Sequence, residues 1–505
     1  MRKMKKLAAL LCAVIMVLTL LPVQTWATEE GTLYSARYDA VAGEMRREKL
    51  PDGTVLHPFP TDEQDDAALF ADGEVPEIDP YFSIIDENLP RYGYDALAQM
   101  ANGEALTDFY AILATLAFYY YYNSNSDYPE YFEFPDSVTY TYSMEEAALV
   151  TQAFYADWPE IFWMWPGFLY DANSVCVGID MGYNNHASDL EQEQQLFLSA
   201  ANSILAGMPA DGTDYEKELY LHDALVNHVT YDMNYVEEQN AYSALVNGKA
   251  VCAGYAFALQ YLLMRAGIES YYVVGTAGVD KDGKPVGHAW NIAKIDGTWY
   301  YVDATWDDSD DEYAPYHGYF NITTAMLETE HTLDPIPYNV PLPACTATDA
   351  FYHTVNGSIV STADSDLVEK VAGLLLQNDG VACLYVTDEN AYDTTWAWYQ
   401  NNIDAIADAV RASDEYSYGC NAFGNEIVLT FTGSILYPFT GDANGDDAVD
   451  IRDMQLLYTY LITDTFPVDQ TDLIEYYFLS AADVNGDKHV DVYDLQALYE
   501  MVAAA

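Results

Sequence analysis

The sequence contains Val251-Cys252-Ala253-Gly254-Tyr255, followed by Gly287-His288-Ala289-Trp290-Asn291 and then by Tyr301-Val302-Asp303-Ala304-Thr305-Trp306. The first motif opens an apolar run, from Ala253 to Ala266, that is typical of a buried helix. The second and third motifs lie in runs that are typical of strands. One small region thus supplies a cysteine, a histidine and an aspartate, and we take Cys252, His288 and Asp303 as a candidate thiol catalytic triad.

Cys252 lies at the predicted start of this helix, and Gly267 suits the C-terminal end. The helix dipole and the free N–H groups of the first turn stabilise a thiolate there, and the same groups can bind a developing oxyanion. The candidate for a further oxyanion donor is Tyr242. An inert buried thiol is also compatible with this position, so the helix alone does not establish a site.

A hairpin is predicted between the histidine and the aspartate. Asp296-Gly297 is a preferred two-residue turn of type I′, and strand-like runs flank it, from His288 to Ile295 and from Thr298 to Thr305. With this turn, Asp303 becomes the diagonal neighbour of His288 on the same face of the sheet. A three-residue turn would place the two on opposite faces, so the prediction depends on the turn.

These motifs look like the three signatures of the bacterial transglutaminase-like superfamily. Leu221-His222-Asp223 and Val229-Thr230-Tyr231-Asp232 resemble the helix that precedes them in that family. The resemblance covers about a fifth of the chain, from about Asp214 to Asn321. It implies an α+β fold with a papain-like, transglutaminase-like core.

The resemblance also implies a reaction, which is thiol acyl transfer on a peptide or carboxamide bond. Cys252 would be the nucleophile, His288 the base and acid, and Asp303 the residue that orients the imidazole. Hydrolysis and cross-linking share the first half of this reaction, so the motifs do not separate them. Hydrolysis is favoured slightly, because an extracellular enzyme faces water at high concentration.

The C-terminal part of the chain contains two copies of an Asp-rich loop, and each copy runs into a helical pattern, Met454 to Ile462 and Leu495 to Val502. An EF-hand loop binds calcium through oxygens at positions 1, 3, 5, 7, 9 and 12. Here those positions hold Asp442, Asn444, Asp446, the Ala448 carbonyl, Asp450 and Asp453 in the first copy, and Asp483, Asn485, Asp487, the His489 carbonyl, Asp491 and Asp494 in the second.

The duplicated loop and helix resemble a type I dockerin, over Gly441 to about Val502. This resemblance implies an α-helical domain with two EF-hand-like calcium loops, two bound calcium ions, and a cohesin domain of a cellulosome scaffoldin as partner. Many dockerins carry a Ser-Thr pair at the recognition face. Ile451-Arg452 and Val492-Tyr493 stand there instead, which indicates a cohesin of another specificity group.

Composition sets the broad class. The 80 acidic and 19 basic residues give a formal net charge of −61, and such a surface repels nucleic acid and anionic lipid. Residues 1–27 are typical of a signal peptide, with an apolar core from Leu7 to Val23 before Thr25-Trp26-Ala27. An uncleaved membrane anchor is the alternative. We expect a secreted, extracellular chain with no membrane span after signal cleavage.

Signal removal takes Cys12 and leaves an odd number of cysteines in an exported chain. This number indicates one working thiol and up to two disulfides. The residues available for disulfides are Cys176, Cys345, Cys383 and Cys420. Cys383 and Cys420 could link within one small domain, whereas a fully reduced chain is the alternative.

The remaining regions are assigned by composition and periodicity. We expect a mobile lead-in at 28–80 with a short helix between Leu33 and Lys49, and a partly helical accessory region at 81–210. The transglutaminase-like domain follows at 211–344, a small α+β domain at 345–437 and the dockerin at 441–502. Further predicted helices are Ala105 to Tyr122, Glu145 to Tyr155, Asp214 to Asn227, Asp366 to Gln377 and Ile403 to Ala412, and further predicted strands are Pro159 to Trp163, Val175 to Gly182, Val381 to Val386 and Glu426 to Phe431.

The sequence therefore predicts a secreted, cellulosome-associated thiol enzyme that acts on a protein or peptide substrate. The alternative is a non-catalytic module with the same fold that binds or spaces other components of a cellulosome.

Overall fold

The computed structural model describes residues 32–39, 44–59, 89–122, 130–135, 138–234, 239–308, 316–378, 380–410, 412–435, 441, 443, 449–463, 479, 481–485 and 489–504. The predicted signal peptide lies outside these residues. The chain divides into two compact units, Met1–Pro315 with Tyr319–Phe351, and Tyr316–Gly318 with Tyr352–Ala505. Within the described part of the chain, no helix combines the length and the apolar character that a membrane crossing requires.

The first unit contains an antiparallel five-stranded sheet with the order β2-β1-β4-β5-β3. Its strands are β1 (Tyr34–Asp39), β2 (Glu44–Lys49), β3 (Tyr131–Glu133), β4 (Gly167–Tyr170) and β5 (Cys176–Asp180).

The hairpin of β1 and β2 corrects the prediction of a short helix between Leu33 and Lys49. Ala36 and Tyr38 are buried and alternate with more polar residues, a period of two that suits a strand. Strand β1 pairs with β4, and Arg37 forms an ion pair with Asp180 of β5. The segment is thereby integrated into the sheet.

The first unit contains eight α-helices among the described residues, and the one at Met144–Asp157 packs on strands β1 and β4 of this sheet. The eight helices are α1 (Tyr92–Ala98), α2 (Gly103–Tyr122), α3 (Met144–Asp157), α4 (Leu190–Leu205), α5 (Asp214–His228), α6 (Ala241–Leu245), α7 (Cys252–Arg265) and α8 (Thr324–Leu327).

The other predicted helices of this unit are confirmed, with ends that shift by one or two residues. Capping boxes start α3 at Ser143 and α5 at Thr213, because a glutamate three residues later returns a hydrogen bond to each cap. The strand predicted for Pro159 to Trp163 is wrong. These residues form a turn, in which the Ile161 N–H donates to the Trp158 carbonyl at 2.9 Å. Pro159 also lacks the N–H that a residue within a sheet donates to its neighbouring strand.

A second antiparallel sheet carries the order β10-β9-β8-β11, and a short parallel pair, β6 (Thr230–Tyr231) with β7 (Lys249–Ala250), lies before α7. The strands of the larger sheet are β8 (Ser270–Val279), β9 (Pro285–Ile295), β10 (Thr298–Val302) and β11 (His331–Leu333). Asp296 has φ 48° and Gly297 has φ 86°, as a type I′ turn requires, and Ile295 pairs with Thr298. The predicted turn and register are confirmed.

Helix α7 packs on this sheet through side chains of both elements. The rings of Phe257 and Tyr272 are stacked, with centroids 4.0 Å apart and an interplanar angle of 3°. The Asn291 amide of β9 donates to the Ala256 carbonyl of α7 at 2.9 Å. Because α7 starts at Cys252 and β9 contains His288, these contacts hold the helix start against the histidine strand.

The second unit contains a sheet with the order β12-β13-β15-β14 and a separate C-terminal helical part. Its elements are α9 (Tyr352–Val355), β12 (Ile359–Val360), α10 (Leu367–Gln377), β13 (Val381–Val386), α11 (Ala391–Ala409), β14 (Ala412–Phe423), β15 (Glu426–Ile435), α12 (Ile451–Thr463) and α13 (Val492–Ala504).

Helix α11 corrects the prediction of a helix from Ile403 to Ala412. It begins at Ala391, and Ala412 already belongs to β14. Thr395, Tyr399, Ile403 and Ile406 form its buried face, a spacing of three and four residues that continues the helical period through a polar, aromatic segment.

The five cysteines outside the predicted signal peptide are all unpaired thiols, which corrects the expectation of up to two disulfides. Cys383 and Cys420 lie on the two strands that flank β15, where they pair with Val428 and Leu429. Two strand spacings separate them by about 9.5 Å, and neighbouring residues of β15 face opposite sides of the sheet. A disulfide needs Cα atoms within about 7 Å, so this pair cannot close.

Candidate active site

His288 lies between a carboxylate and a thiol. Its Nε2 donates to the Asp303 Oδ2 at 2.7 Å, because a carboxylate oxygen can only accept. The Cys252 side chain is a further hydrogen-bond partner of the same imidazole. Since Nε2 is used by Asp303, the Nδ1 atom is the one available to the thiol. The structure thus brings together all three residues predicted for the triad.

Asp303 is fixed by the loop that follows β10. The strand ends at Val302 and not at Thr305 as predicted. After Val302 the backbone turns, and its N–H groups point toward the Asp303 carboxylate. The N–H groups of Thr305 and Trp306 donate to Oδ1 at 3.0 and 3.2 Å. The Asp303 N–H donates to the Tyr319 carbonyl at 3.1 Å. The aspartate keeps the predicted orientation toward His288 without a paired strand around it.

The same loop is attached to the helix that carries the thiol. The Tyr255 hydroxyl lies 2.5 Å from the Asp308 Oδ2 and 3.1 Å from the Val229 carbonyl. Tyr255 is in the first turn of α7, which begins at Cys252. These contacts connect the loop to the first turn of the helix.

Pairing stabilises the charges in the site against the effect of burial. Burial lowers the pKa of His288, but the charge of Asp303 and the contacts with Asp303 and Cys252 outweigh it and raise that pKa to about 10. Burial also raises the pKa of Asp303, and the two histidines that contact it lower this pKa well below its usual range. The geometry therefore favours an imidazolium beside the thiol at neutral pH. Cys252, His288 and Asp303 are 1, 6 and 1 % exposed, so little water screens the charges.

A second histidine, His331, was missed by the sequence analysis. Its Nε2 lies 3.0 Å from the same Asp303 Oδ2. It comes from β11, which pairs with β8 and is distant in sequence from the three motifs. The motifs carried no signal for it, since strand pairing alone brings it to the site.

His222, on α5, is fully buried and contacts two carboxylates. Its Nδ1 lies 2.9 Å from the Asp223 Oδ1, and its Nε2 lies 3.2 Å from the Asp307 Oδ2. Burial lowers the pKa of His222, but hydrogen bonds and charge from Asp223 and Asp307 raise it to about 10. Asp307 also donates its N–H to the Asp303 carbonyl at 3.1 Å. Through Asp307, the network is connected to the loop that carries Asp303.

Tyr242, the predicted oxyanion donor, packs within an aromatic cluster. Its ring centroid lies 4.3 Å from that of His186 and 4.8 Å from that of Phe162, and the residue is 4 % exposed. These contacts indicate a packing role.

The predicted calcium ligands in the described residues show the same local geometry in both copies. Asp453 and Asp494, at position 12, are fully buried. Each carboxylate accepts the N–H of the residue at position 9, Asp450 at 2.7 Å and Asp491 at 2.8 Å. Buried carboxylates in an oxygen-only set of ligands fit a hard cation. Asp483, Asn485 and His489 are also described, whereas Asp442, Asn444, Asp446, Ala448 and Asp487 lie outside the described residues.

Two family models match separate parts of the chain. The model of the Transglutaminase-like superfamily matches residues 202–304, which include Cys252, His288 and Asp303. The model of the Dockerin type I domain matches residues 440–503. The chain carries a transglutaminase-like domain and a type I dockerin domain. A type I dockerin domain binds calcium.

The chain is similar to the kyphoscoliosis peptidase of Mus musculus, with 26% identity over 148 residues. The aligned part is 27% of this chain, and it spans 20% of that relative.

Solved structures give weaker similarities. One is the crystal structure of a TGase, at 17% identity over 28% of this chain and 44% of that chain, with a TM-score of 0.19. Another is a protein of Cytophaga hutchinsonii named as a candidate cysteine protease, at 23% identity over 23% of this chain and 38% of that chain, also with a TM-score of 0.19. Similarities at these TM-scores carry no argument about this chain.

Proposed function

We propose that this chain is a secreted, cellulosome-docked thiol enzyme that transfers the acyl group of a peptide or carboxamide bond. The observation that supports it most is the position of His288, which contacts Asp303 through Nε2 and is a hydrogen-bond partner of Cys252. Cys252 is in turn the first residue of a 14-residue helix. Thiol, imidazole and carboxylate in this order are what acyl transfer requires.

In the first half of the reaction, the Cys252 thiolate attacks the carbonyl carbon and forms a C–S bond. N–H groups at the start of α7 stabilise the negative charge that develops on the carbonyl oxygen. The imidazolium of His288 gives its proton to the leaving amine as the C–N bond breaks, and a thioester remains. Asp303 keeps the ring oriented throughout.

In the second half, His288 accepts a proton from the incoming nucleophile, which attacks the thioester and releases the thiolate. Water as nucleophile gives hydrolysis, and a lysine amine gives a cross-link. We favour hydrolysis, because water is the abundant nucleophile in an extracellular medium.

The proposal is tested by digesting a peptide library with the wild-type chain and with Cys252→Ala, each with and without an added primary amine. We expect wild-type cleavage, with little amine incorporation, and no turnover above background for Cys252→Ala. Cys176→Ala is the matched control, because burial raises the pKa of that thiol to about 12 and it should keep full activity. Turnover retained by Cys252→Ala would refute the triad.

A second candidate function is a non-catalytic binding module. The observation that favours it is the near-complete enclosure of Cys252, which is 1 % exposed. Retention of library peptides without any cleavage, and equal retention by Cys252→Ala, would support this alternative.

We further propose that two calcium ions order the dockerin and permit cohesin binding. The equivalent burial of Asp453 and Asp494 supports one ion in each loop. Calorimetry on the full chain should count two ions, and Asp453→Ala and Asp494→Ala should each lose one, whereas the control Asp366→Ala keeps both. Cohesin binding that persists unchanged in a chelator would contradict this assignment.

A further inference from the structure

His331 and His288 reach the same carboxylate from two different strands. In the sheet, His288 lies opposite Gly275 and His331 lies opposite Ala277, both on β8. Residues directly opposed share a face, and residues two apart on one strand share it too. The two imidazoles therefore project from the same face of the sheet, one on each side of β8.

Both carboxylate oxygens of Asp303 accept hydrogen bonds. Its Oδ2 accepts from the Nε2 atoms of His288 and His331, at 2.7 and 3.0 Å. Its Oδ1 accepts the backbone N–H groups of Thr305 and Trp306. Four donors on one carboxylate fix its rotation, since any turn of the group breaks hydrogen bonds to a charged acceptor.

The surroundings of His331 are aromatic. Its side chain is fully buried, and its ring centroid lies 4.4 Å from that of Trp306, 5.1 Å from that of Trp290 and 5.4 Å from that of Tyr319. Its Nδ1 has no hydrogen-bond partner among the described residues. A buried ring nitrogen without a partner is unfavourable, and a phenylalanine would fill the same space. What histidine adds at this position is the N–H that contacts Asp303.

We propose that His331 is a positioning residue for acyl transfer, whose Nε2–H holds the Asp303 Oδ2 toward His288 and takes part of the carboxylate's charge. This inference rests on the proposed function, because it assigns His331 a task in that reaction. With the charge shared, Asp303 binds the His288 proton less tightly, and the imidazolium releases it more easily to the leaving amine. His331 acts only through Asp303.

The test compares His331→Gln with His331→Met in the full-length chain. Glutamine places an N–H donor at nearly the reach of Nε2, whereas methionine has a similar length and no donor. Both variants lose the ring, so the loss of packing is shared between them. The two measurements are the rate of Cys252 alkylation by iodoacetamide from pH 5 to 9, and kcat and KM on peptides that the wild type cleaves.

We expect His331→Met to lower kcat about ten- to a hundredfold with KM little changed, as loss of a hydrogen bond to a charged group predicts. Its alkylation profile should also shift along the pH axis. His331→Gln should stay within about threefold of the wild type in kcat and keep the wild-type profile. Equal kcat losses and equal profiles in the two variants would overturn the proposal, because they would show that only packing matters.

Thermal unfolding shows whether the variants fold. If both unfold, His331→Phe, which keeps the ring between the tryptophans, is compared with the wild type instead. A phenylalanine variant with wild-type kcat and profile overturns the proposal, and one with the loss expected for methionine supports it. A wild type that alkylates at Cys252 but cleaves no peptide refutes the proposed function, while the difference between the variant alkylation profiles still decides the role of His331.

Discussion

Two histidines of this chain each lie between a nucleophilic side chain and a carboxylate. In the first unit, His288 contacts Cys252 and Asp303. In the second unit, the His353 Nδ1 lies 2.7 Å from the Ser358 Oγ, and its Nε2 lies 3.4 Å from the Glu426 Oε1. Both clusters are buried and combine a nucleophile, a histidine and a carboxylate. Neither residue type nor burial therefore distinguishes the two clusters.

The surroundings of the nucleophile and of the carboxylate do distinguish them. Cys252 starts a long helix, whereas Ser358 lies between the four-residue α9 and the two-residue β12. The Glu426 carboxylate accepts the N–H of His317 at 2.8 Å and that of Gly318 at 2.6 Å. Its negative charge is therefore paired with backbone N–H groups. The Ser358 N–H donates to the His353 carbonyl at 3.0 Å and closes a local turn. The second cluster therefore has the connections of a structural support, and the first those of a reactive site.

The largest expected difference between the two clusters is in turnover. Asp303→Ala should lower kcat by about 10³–10⁴-fold, because the imidazole loses the group that orients it. Glu426→Ala should leave kcat of the folded fraction within about twofold, while unfolding occurs at lower denaturant because two backbone N–H groups lose their acceptor. Peptide cleavage and urea unfolding measure the two effects. A large loss of kcat in Glu426→Ala would contradict the structural role of the His353 cluster.

Thiol reactivity should separate Cys252 from the other cysteines. Burial raises the pKa of Cys176, Cys345 and Cys383 to about 12 and that of Cys420 to about 11. At pH 7 a thiol with a pKa of 11 is ionised to about 10⁻⁴, so these four should stay unlabelled by brief iodoacetamide treatment. Peptide mapping should find the label predominantly on Cys252, because its thiol contacts the His288 imidazole. Equal labelling of the five would contradict this.

His222 adds a third environment, in which both ring nitrogens face carboxylates, and it should contribute to the dependence of stability on pH alongside His288, whose pKa is also raised to about 10. Its pKa is raised to about 10 in the folded chain by Asp223 and Asp307, against about 6.5 when unfolded. The stabilisation is fully present below about pH 6.5 and is lost as the pH rises through about 10. The free energy of unfolding should fall by about 1.4 kcal/mol per pH unit across this window.

His222→Gln should remove this part of the pH dependence, as measured by urea unfolding at a series of pH values. An unchanged slope in the variant would show that His222 is not the titrating group.

The smallest expected effect concerns Gly275, which lies opposite His288 on β8. A Cβ at Gly275 would lie 2.1 Å from the Thr332 carbonyl oxygen and 2.7 Å from the Trp290 ring, so β11 would have to move. We expect Gly275→Ala to lower the free energy of unfolding by about 1–3 kcal/mol and to reduce turnover. A Cβ at Gly419, in the second unit, meets only the Thr430 hydroxyl, at 2.8 Å. Gly419→Ala should be nearly neutral in unfolding and in turnover.

The sequence by itself determined the local geometry of the site. Asp296-Gly297 specified a type I′ turn, and this turn fixed the register that puts His288 and Asp303 on one face. The apolar run after Cys252 specified a helix that begins at the thiol. These features depend on neighbours within a few residues or across one tight turn, so a pattern of residue types can specify them.

Only the tertiary structure decided the rest of the site. His331 reaches Asp303 because β11 pairs with β8, and His222 reaches Asp307 because α5 packs beside the loop. The N-terminal hairpin joins its sheet through β4, and Cys383 and Cys420 are separated because β15 lies between their strands. Each depends on contacts between segments far apart in the chain, and local patterns of residue types do not encode such contacts.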